Sequence, residues 1–258
     1  MSDILYNVEG GVAMAQINRP ERRNALTTGT ASELYEVLLN ASHDSAVRVL
    51  VLRGVGKDFC AGADIGAAAS KDAGGKELDR DMRIYQISRL LHEMPAVTIA
   101  AIRGGCAGAA FGWAAACDLR IASDDARINT AFLDVGVAGD MAGPWFLSRL
   151  VGTGRAREMY LLPGKWDAAA AERIGLVNRA VPADAFEDDL AALTTQLVRA
   201  APLALAAMKS NFVEAERLGL DSYLALESER HERLLHSEDR KEAFRAFLEK
   251  RPGRFQGA

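Results

Sequence analysis

The sequence of 258 residues has few cysteines, few aromatic residues and no excess of basic charge. Its three cysteines form no Cys-x-x-Cys pair and the four histidines lie at no zinc-ligand spacing from them, so we expect neither disulfides nor a metal site. Lys and Arg number 31 against 35 Asp and Glu, a net charge of −4, which disfavours nucleic acid as a partner. No apolar run reaches the roughly 18 residues of a membrane helix, and the N-terminus lacks a basic and then apolar segment. We therefore expect a soluble, cytoplasmic protein without membrane contact.

Alanine and glycine are instead plentiful, and they concentrate in residues 61–69 and 104–116. Small residues let a backbone approach another backbone or a ligand closely, so main-chain groups can carry the chemistry at such places. Hydrophobic residues at 49% and charged residues at 26% are ordinary for a globular protein. The two small-residue stretches are therefore the most informative feature of the composition.

Short apolar runs bounded by turn residues predict strands that alternate with helices. Strands are predicted over residues 4–8, 12–17, 47–53, 97–102, 119–122 and 176–181. Helices are predicted from a Thr28 or Thr30 cap to about residue 40, over 107–117, from Pro144 to 150, over 168–174, and in all of the chain after residue 184. Residues 65–94 are expected to begin as a mobile loop and to end as a helix. This order favours an α/β core followed by a helical region.

Two glycine-rich turns each follow a predicted strand. The first runs over residues 54–65, and the second, residues 104–112, enters a helix that is almost without charge. Each turn exposes main-chain N–H groups, and the second places them at a helix N-terminus, where negative charge is favoured. If the two turns meet, they could hold an oxyanion. Their glycine spacing matches neither a phosphate loop nor the dinucleotide fingerprint.

Five stretches in a fixed order carry a resemblance to a known family: residues 18–26 (NRPERRNAL), 59–65 (FCAGADI), 102–118, 136–152 and 243–251. The sequence resembles the crotonase (enoyl-CoA hydratase/isomerase) superfamily along nearly its whole length. The resemblance implies a spiral core of repeated ββα units, here residues 1–195, and a C-terminal helical trimerisation region, residues 196–258. It also implies a homotrimer or a hexamer built as a dimer of trimers. A coenzyme A thioester is the implied substrate, and no separate cofactor is expected.

Matched by position, the resemblance assigns the backbone N–H groups of Ala63 and Ala109 as oxyanion donors. Most members have glycine at the second position, but alanine keeps the N–H. The implied CoA contacts are Arg22, Arg23, Ala25, Ala61, Ala63, Asp64, Ile65, Phe247 and Lys250, the last two reaching a neighbouring subunit's CoA. Without the resemblance, the two arginines would read as an exposed surface pair, Phe247 as core and Lys250 as a solvated lysine.

The reaction depends on three further positions. Family hydratases use two glutamates, whose positions hold Gly112 and Phe132 in this sequence, so hydration by paired carboxylates is disfavoured. Asp140 matches an aspartate that several isomerases and dehalogenases of the superfamily place over the substrate. Apolar neighbours such as Met141 and Trp145 should raise its pKa, which suits proton transfer. The alternative is that Asp140 only caps the helix that begins near Pro144.

The leading hypothesis is therefore an enoyl-CoA isomerase in which Asp140 shuttles a proton. One alternative is an aryl- or acyl-CoA dehalogenase or hydrolase with Asp140 as nucleophile, although family dehalogenases have a tryptophan where this chain has Phe132. A hydratase would need an unmatched acid such as Asp134. A non-catalytic acyl-CoA binder or an RNA-binding member also stays open, and the acidic charge balance argues against RNA.

Overall fold

The computed structural model describes residues 2–67 and 81–258, which form sheets covered by helices. Its strands are β1 (Ile4–Glu9), β2 (Val12–Ile17), β3 (Val49–Gly54), β4 (Val97–Ile102), β5 (Gly105–Ala107), β6 (Leu119–Ser123), β7 (Arg127–Asn129), β8 (Trp166–Asp167) and β9 (Arg179–Val181). Its helices are α1 (Thr28–His43), α2 (Ile87–Glu93), α3 (Ala109–Ala116), α4 (Gly143–Val151), α5 (Thr153–Leu161), α6 (Ala168–Arg173), α7 (Phe186–Val198), α8 (Pro202–Ala215), α9 (Leu220–Leu235) and α10 (Glu238–Leu248). Short 3-10 turns cover Pro20–Arg22, Met82–Gln86 and Leu133–Val135.

The larger sheet has six strands in the order β1-β2-β3-β4-β6-β9. Only the β1–β2 hairpin is antiparallel, and Gly10 and Gly11 supply the positive φ angles of its turn. The other neighbours are parallel, with Val12 opposite Val49 and Val49 opposite Val97. A smaller sheet joins β5, β7 and β8. Strands β3 and β4 are parallel neighbours, so the turns that follow them lie at the same edge of the larger sheet.

Both faces of the larger sheet are buried, because alternate residues of its central strands enter two different apolar clusters. Leu50 and Leu52 of β3 join the main core with α1 and α3. Val49 and Val51 point to the other face, where α7 covers them with Phe186 and other residues. This explains why the sequence of β3 is continuously apolar rather than alternating.

Helix α3 is apolar on all sides, and every residue from Ala110 to Ala116 is buried. A helix of this composition is stable only inside a protein. Helix α8 is fixed to the same region by Lys209, whose buried Nζ lies 2.8 Å from Asp118 Oδ2 and donates to the carbonyls of Leu91 and Ala96 at 3.0 and 2.8 Å. The C-terminal helices are therefore attached to the core at a buried ion pair.

The predicted α/β class and the helical nature of the chain after residue 184 are confirmed, and two local expectations need correction. Helix α1 is capped by Thr27, which forms a capping box with Thr30, and not by Thr28 or Thr30. The strand predicted over 176–181 is limited to β9, since the N–H groups of Leu176 and Val177 bond to Ala171 at the end of α6. Of the segment predicted to be a mobile loop, residues 68–80 lie outside the described residues.

The division at residue 195 and the trimerisation role of the C-terminal helices stay predictions; residue 195 itself lies within α7. In residues 2–67 and 81–258, no single helix has both the length and the apolarity to cross a membrane. Helices α7 and α8 reach those limits only as a pair bent by 102°.

Candidate active site

The two glycine-rich turns lie side by side, which is the condition for them to hold an oxyanion. Cys60 and Cys106 face each other across a parallel bridge, in which Cys60 N–H donates to Gly105 at 2.9 Å and Ala107 N–H donates to Cys60 at 3.0 Å. Gly62 has φ +93°, and a Cβ there would lie 3.1 Å from the Ala107 carbonyl oxygen. Glycine at 62 therefore allows both a backbone conformation and an approach that a larger residue would oppose.

The N–H group of Ala63 points away from the segment that holds it. Leu26 N–H donates to Gly62 and Asp64 N–H donates to Leu26, both at 2.8 Å, which uses the main-chain groups on one side of the turn. Successive N–H groups of an extended segment alternate in direction, so Ala63 N–H is directed to the other side. In the part of the chain that the structure describes, this N–H has no acceptor.

Ala109 supplies a second N–H of the same kind. It is the first residue of α3, and Gly108 before it has φ +58° and ψ −129°, a conformation that glycine adopts readily. The first N–H groups of a helix have no acceptor within the helix, and within residues 2–67 and 81–258 the Ala109 N–H has none elsewhere. Two main-chain donors and a helix N-terminus thus meet at one place, as the sequence predicts.

Both donors line a cavity of about 210 Å³, and Asp140 lies in the same cavity. Its wall is otherwise largely apolar. The lining residues are Leu26, Thr27, Thr28, Ala31, Ala63, Asp64, Ala67, Ile84, Tyr85, Ala109, Trp113, Asp140 and Met141. An apolar cleft with a few convergent polar groups is the usual form of a small-molecule site.

Asp140 belongs to a tight loop, residues 139–143, that precedes α4. Met141 and Ala142 have positive φ angles of 51° and 55°, an uncommon conformation for residues other than glycine. The loop is held by Ser88, whose Oγ donates to the Met141 carbonyl at 2.7 Å, and by Gly143 N–H, which donates to the Asp140 carbonyl at 3.0 Å. The N-cap of α4 is Ala142, so the interpretation of Asp140 as the helix cap is wrong.

The Asp140 carboxylate is in a poorly solvated position. Burial raises the pKa of Asp140 to about 6, although a hydrogen bond from its own backbone N–H opposes the rise. Its Oδ1 is buried and has no hydrogen-bond partner among the described residues. A carboxylate whose pKa lies near neutrality can both accept and return a proton.

The pKa of Asp64, the other acid of the cavity lining, is shifted in the opposite direction. It accepts from Ala67 N–H at 3.1 Å and pairs with Arg19 at 3.2 Å. Ala67 N–H first and Arg19 second lower the pKa of Asp64, so this carboxylate stays ionised and is a weak base. Environments that separate the pKa values of two acids in one cavity give them different roles, and only Asp140 has the properties of a proton carrier.

The two positions that match the glutamates of family hydratases carry no acid, and at position 112 the fold leaves no space for a side chain. A Cβ built at Gly112 would lie 2.7 Å from Met141 Cβ and 3.3 and 3.4 Å from the carbonyl oxygens of Met141 and Asp140. Phe132 is buried and stacks on Tyr160, with ring centroids 6.0 Å apart and an interplanar angle of 8°. The loop that carries Asp140 therefore fills the volume that a side chain at 112 would need.

The predicted CoA contacts fall into three groups. Ala63 and Asp64 line the cavity. Five others lie on the two segments beside it, which are joined by a bond from the N–H of residue 61 to the carbonyl of residue 23 at 3.0 Å; they are Arg22, Arg23, Ala25, Ala61 and Ile65. Phe247 lies in the last turn of α10 and Lys250 just after that helix, both outside this lining, and Phe247 is 83% exposed. Their contact with a neighbouring subunit's CoA stays a prediction.

Arg23 has a structural contact that the sequence does not indicate. Its guanidinium forms a two-bond pair with Asp58, at 2.8 and 3.1 Å, and Asp58 Oδ1 also accepts from Gly105 N–H at 2.7 Å. The hydrogen bond from Arg23 is the main reason that the pKa of Asp58 is lowered. Arg23 thus connects the first loop to the second glycine turn, whereas Arg22 is exposed at the end of its 3-10 turn.

Trp113 and Tyr85 line the cavity, while Trp145 is not in the lining and packs against His92 and Phe146. Sequence reasoning missed Thr28 and Ala31, whose spacing of three on α1 directs both to the cavity and was the available signal. It also missed Tyr160, which no motif marks.

Comparison with known proteins gives a consistent result. The family model described as enoyl-CoA hydratase/isomerase matches residues 7–258. The chain belongs to this family. It is 34% identical over 254 residues to a short-chain-enoyl-CoA hydratase of Clostridium acetobutylicum, with 97% of this chain and 96% of the other covered. It is 33% identical over 261 residues to a 1,2-epoxyphenylacetyl-CoA isomerase of Escherichia coli K12, with coverage of 100% and 99%.

Solved structures agree with this family membership. The crystal structure of an enoyl-CoA hydratase from Polaromonas sp. JS666 superposes with a TM-score of 0.90 at 29% identity, and the match covers 98% of this chain and 99% of that one. The crotonase superfamily and its fold are thus confirmed. The family contains relatives named as hydratases and as isomerases, so membership alone leaves the reaction open.

Proposed function

We propose that the protein is an acyl-CoA isomerase in which Asp140 moves a proton between two carbons of a thioester held by Ala63 and Ala109. The observation that carries this proposal is the Asp140 carboxylate: it shares a cavity with two main-chain donors that have no acceptor among the described residues, and burial raises its pKa to about 6. Coenzyme A enters as part of the substrate. The family's acyl-CoA chemistry and a relative named as a CoA isomerase support the same substrate class.

In this mechanism the two N–H groups polarise the thioester carbonyl. Ionised Asp140 removes a proton from C2 of a 3-enoyl thioester, and the electron pair of the broken C–H bond moves into a dienolate. The negative charge on the oxygen is stabilised by Ala63 and Ala109 N–H, a contribution that is worth roughly 3–4 kcal/mol per donor in comparable sites. Asp140 then returns the proton to C4, and the double bond has moved to C2–C3.

Hydration is less well supported, although relatives bear that name. It requires a second acid or base to activate water. Gly112 and Phe132 cannot supply one, and Asp134, the remaining candidate, is exposed on a 3-10 turn and absent from the cavity lining. Nucleophilic attack by Asp140 is also less well supported, since the superfamily's dehalogenases have a tryptophan where this chain has Phe132.

The test is a panel of 3-enoyl-, 2-enoyl- and aryl-CoA thioesters, assayed for isomerisation, hydration and thiol release. We expect conversion of 3-hexenoyl-CoA to 2-hexenoyl-CoA, and we expect Asp140→Asn to lower kcat by about 10²–10⁴-fold with KM nearly unchanged. Asp134→Asn is the matched control and should retain activity. Full activity of Asp140→Asn would overturn the proposal, and a 3-hydroxyacyl product that contains oxygen from labelled water would establish hydration instead.

A further inference from the structure

Tyr160 of α5 carries a buried hydroxyl that nothing in the fold explains. In the described ranges its Oη has no hydrogen-bond partner, and the Oδ1 atom of Asp140 is a second buried polar atom without one. Leaving a buried hydroxyl unpaired costs free energy, and a phenylalanine would fill the same volume without that cost. An unsatisfied buried group of this kind therefore calls for a reason.

The tyrosine lies directly against the loop that carries Asp140. A Cβ built at Gly143 would lie 2.0 Å from Tyr160 Oη, and one at Gly139 would lie 2.7 Å from Tyr160 Cε1. The ring thus contacts the loop on both sides of Asp140, at positions where only glycine leaves room. The hydroxyl group is held at the base of the loop.

The surroundings of the ring are apolar. Phe132 stacks on it, and Phe111 meets it edge-on with ring centroids 6.2 Å apart. Burial raises the pKa of Tyr160 above its ordinary value, and the charge of Asp140 raises it further. Tyr160 therefore keeps its proton throughout the neutral range and is available as a hydrogen-bond donor to an anion in its environment.

We propose that the Tyr160 hydroxyl donates a hydrogen bond to the ionised carboxylate of Asp140 and positions it for proton transfer. The bond requires a rotation of the Asp140 side chain, because neither atom has a hydrogen-bond partner among the described residues. The catalytic consequence rests on the proposed isomerase function, but the hydrogen bond itself does not.

Other titratable or charged groups around this loop must be distinguished from Tyr160. Asp64 and Tyr85 line the cavity, and His92 lies on α2. Asp134 lies on the 3-10 turn before the loop, Arg149 on α4 and Arg157 on α5. None of them is changed by a substitution at Tyr160. A pH effect that depends on both Tyr160 and Asp140 therefore reports their interaction.

The first test measures thermal stability between pH 5 and pH 8 for the wild type, Tyr160→Phe, Asp140→Asn and the double variant. A donor to the ionised form stabilises the fold only above the pKa of Asp140. Tyr160→Phe should therefore melt close to the wild type at pH 5 and about 2–4 °C lower at pH 8. In the Asp140→Asn background the effect of Tyr160→Phe should not change with pH. Tyr6→Phe, on the edge strand β1, is the matched control.

The second test uses the isomerase assay. Tyr160→Phe should move the acid limb of kcat/KM upward by about one pH unit and lower kcat, while KM stays near the wild-type value. A stability difference that is the same at pH 5 and pH 8 would overturn the inference and leave Tyr160 a packing residue. Because stability is measured without substrate, an inactive panel would count against the proposed function and not against the hydrogen bond.

Discussion

On one side of the cavity, Ala63 and Ala109 present main-chain N–H groups from turns that many hydrogen bonds and close backbone contacts hold in place. On the other side, Asp140 presents a side chain from a loop with two residues in the left-handed conformation and with unpartnered polar atoms beneath it. The first arrangement is nearly independent of side-chain identity. The second depends on the carboxylate of Asp140 and the groups that contact it. We therefore expect the main-chain side to respond mainly to substitutions that move the backbone, and the Asp140 side to respond to changes of single side chains.

The largest effect on the main-chain side should come from a change that alters the backbone. Gly62→Ala adds a Cβ 3.1 Å from the Ala107 carbonyl oxygen at a residue with φ +93°, and so displaces the adjoining Ala63 N–H. We expect kcat for isomerisation to fall by about 10²–10³-fold, the range for loss of an oxyanion donor. Gly10→Ala, also at a positive φ but in open space, controls for strain alone. A wild-type kcat for Gly62→Ala would show that catalysis does not require the Ala63 N–H to be held in this position.

On the Asp140 side, we expect Gly112→Ala to disturb the loop from below. The added Cβ would lie 2.7 Å from Met141 Cβ, which should lower the free energy of unfolding by about 1–3 kcal/mol and reduce kcat as Asp140 shifts. Gly154→Ala, in α5 with nothing near its Cβ, is the matched helical control and should not destabilise. Urea denaturation of both variants makes the comparison, and equal stability for the two would mean that the loop adjusts freely.

Asp140→Asn should also change stability, in a direction that depends on pH. Because burial raises the pKa of Asp140 to about 6, the folded protein binds a proton between about pH 4 and pH 6 that the unfolded chain releases. Stability contributed by this group is therefore lost as pH rises through 6. The variant should exceed the wild type at pH 8 by roughly 1–2 kcal/mol, allowing for partial solvation by the cavity, and should match it near pH 4. A constant difference across this range would contradict the raised pKa.

The smallest effect is expected for a side chain that supports the main-chain side. Asp58→Asn weakens the contacts with Arg23 and Gly105, but the bonds between Cys60, Gly105 and Ala107 remain. We expect a loss of about 0.5–1.5 kcal/mol in unfolding free energy and less than a threefold change in kcat/KM. A large fall in kcat without a loss of stability would show that the positions of the Ala63 and Ala109 N–H groups depend on the Asp58 carboxylate. The main-chain side would then depend on a single side chain, as the Asp140 side does.

The sequence predicts the strands of the larger sheet, the buried helix and the two glycine turns, because apolar runs and turn glycines are local signals. The short strands β5, β7 and β8 and the contact between the turns are visible only in the folded chain. It predicts less well where neighbouring residues compete. Thr27, Thr28 and Thr30 are all good caps, and only the hydrogen bond of Thr27 to the N–H of residue 30 decides between them. Leu176 and Val177 have strand propensity, but a turn after α6 directs them to the core.

The Asp140 side is harder to predict for a physical reason. The character of the carboxylate depends on the packing of Tyr160, Gly139 and Gly143, which come together only in the folded chain. A tyrosine in a helix gives no local indication that its hydroxyl lies beneath a loop some twenty residues away in sequence. The pKa of Asp140 could be predicted in direction, from its apolar neighbours, but its partner could not.

Gly112 has a consequence for how this scaffold can change its chemistry over evolutionary time. The loop bearing Asp140 and a long side chain at 112 would occupy the same volume, so the two cannot be present together. A Gly112→Glu substitution alone would displace Asp140, the proposed proton carrier, before a glutamate at 112 could take over its role. An exchange of the residue that carries the proton would therefore require changes in both the loop and helix α3.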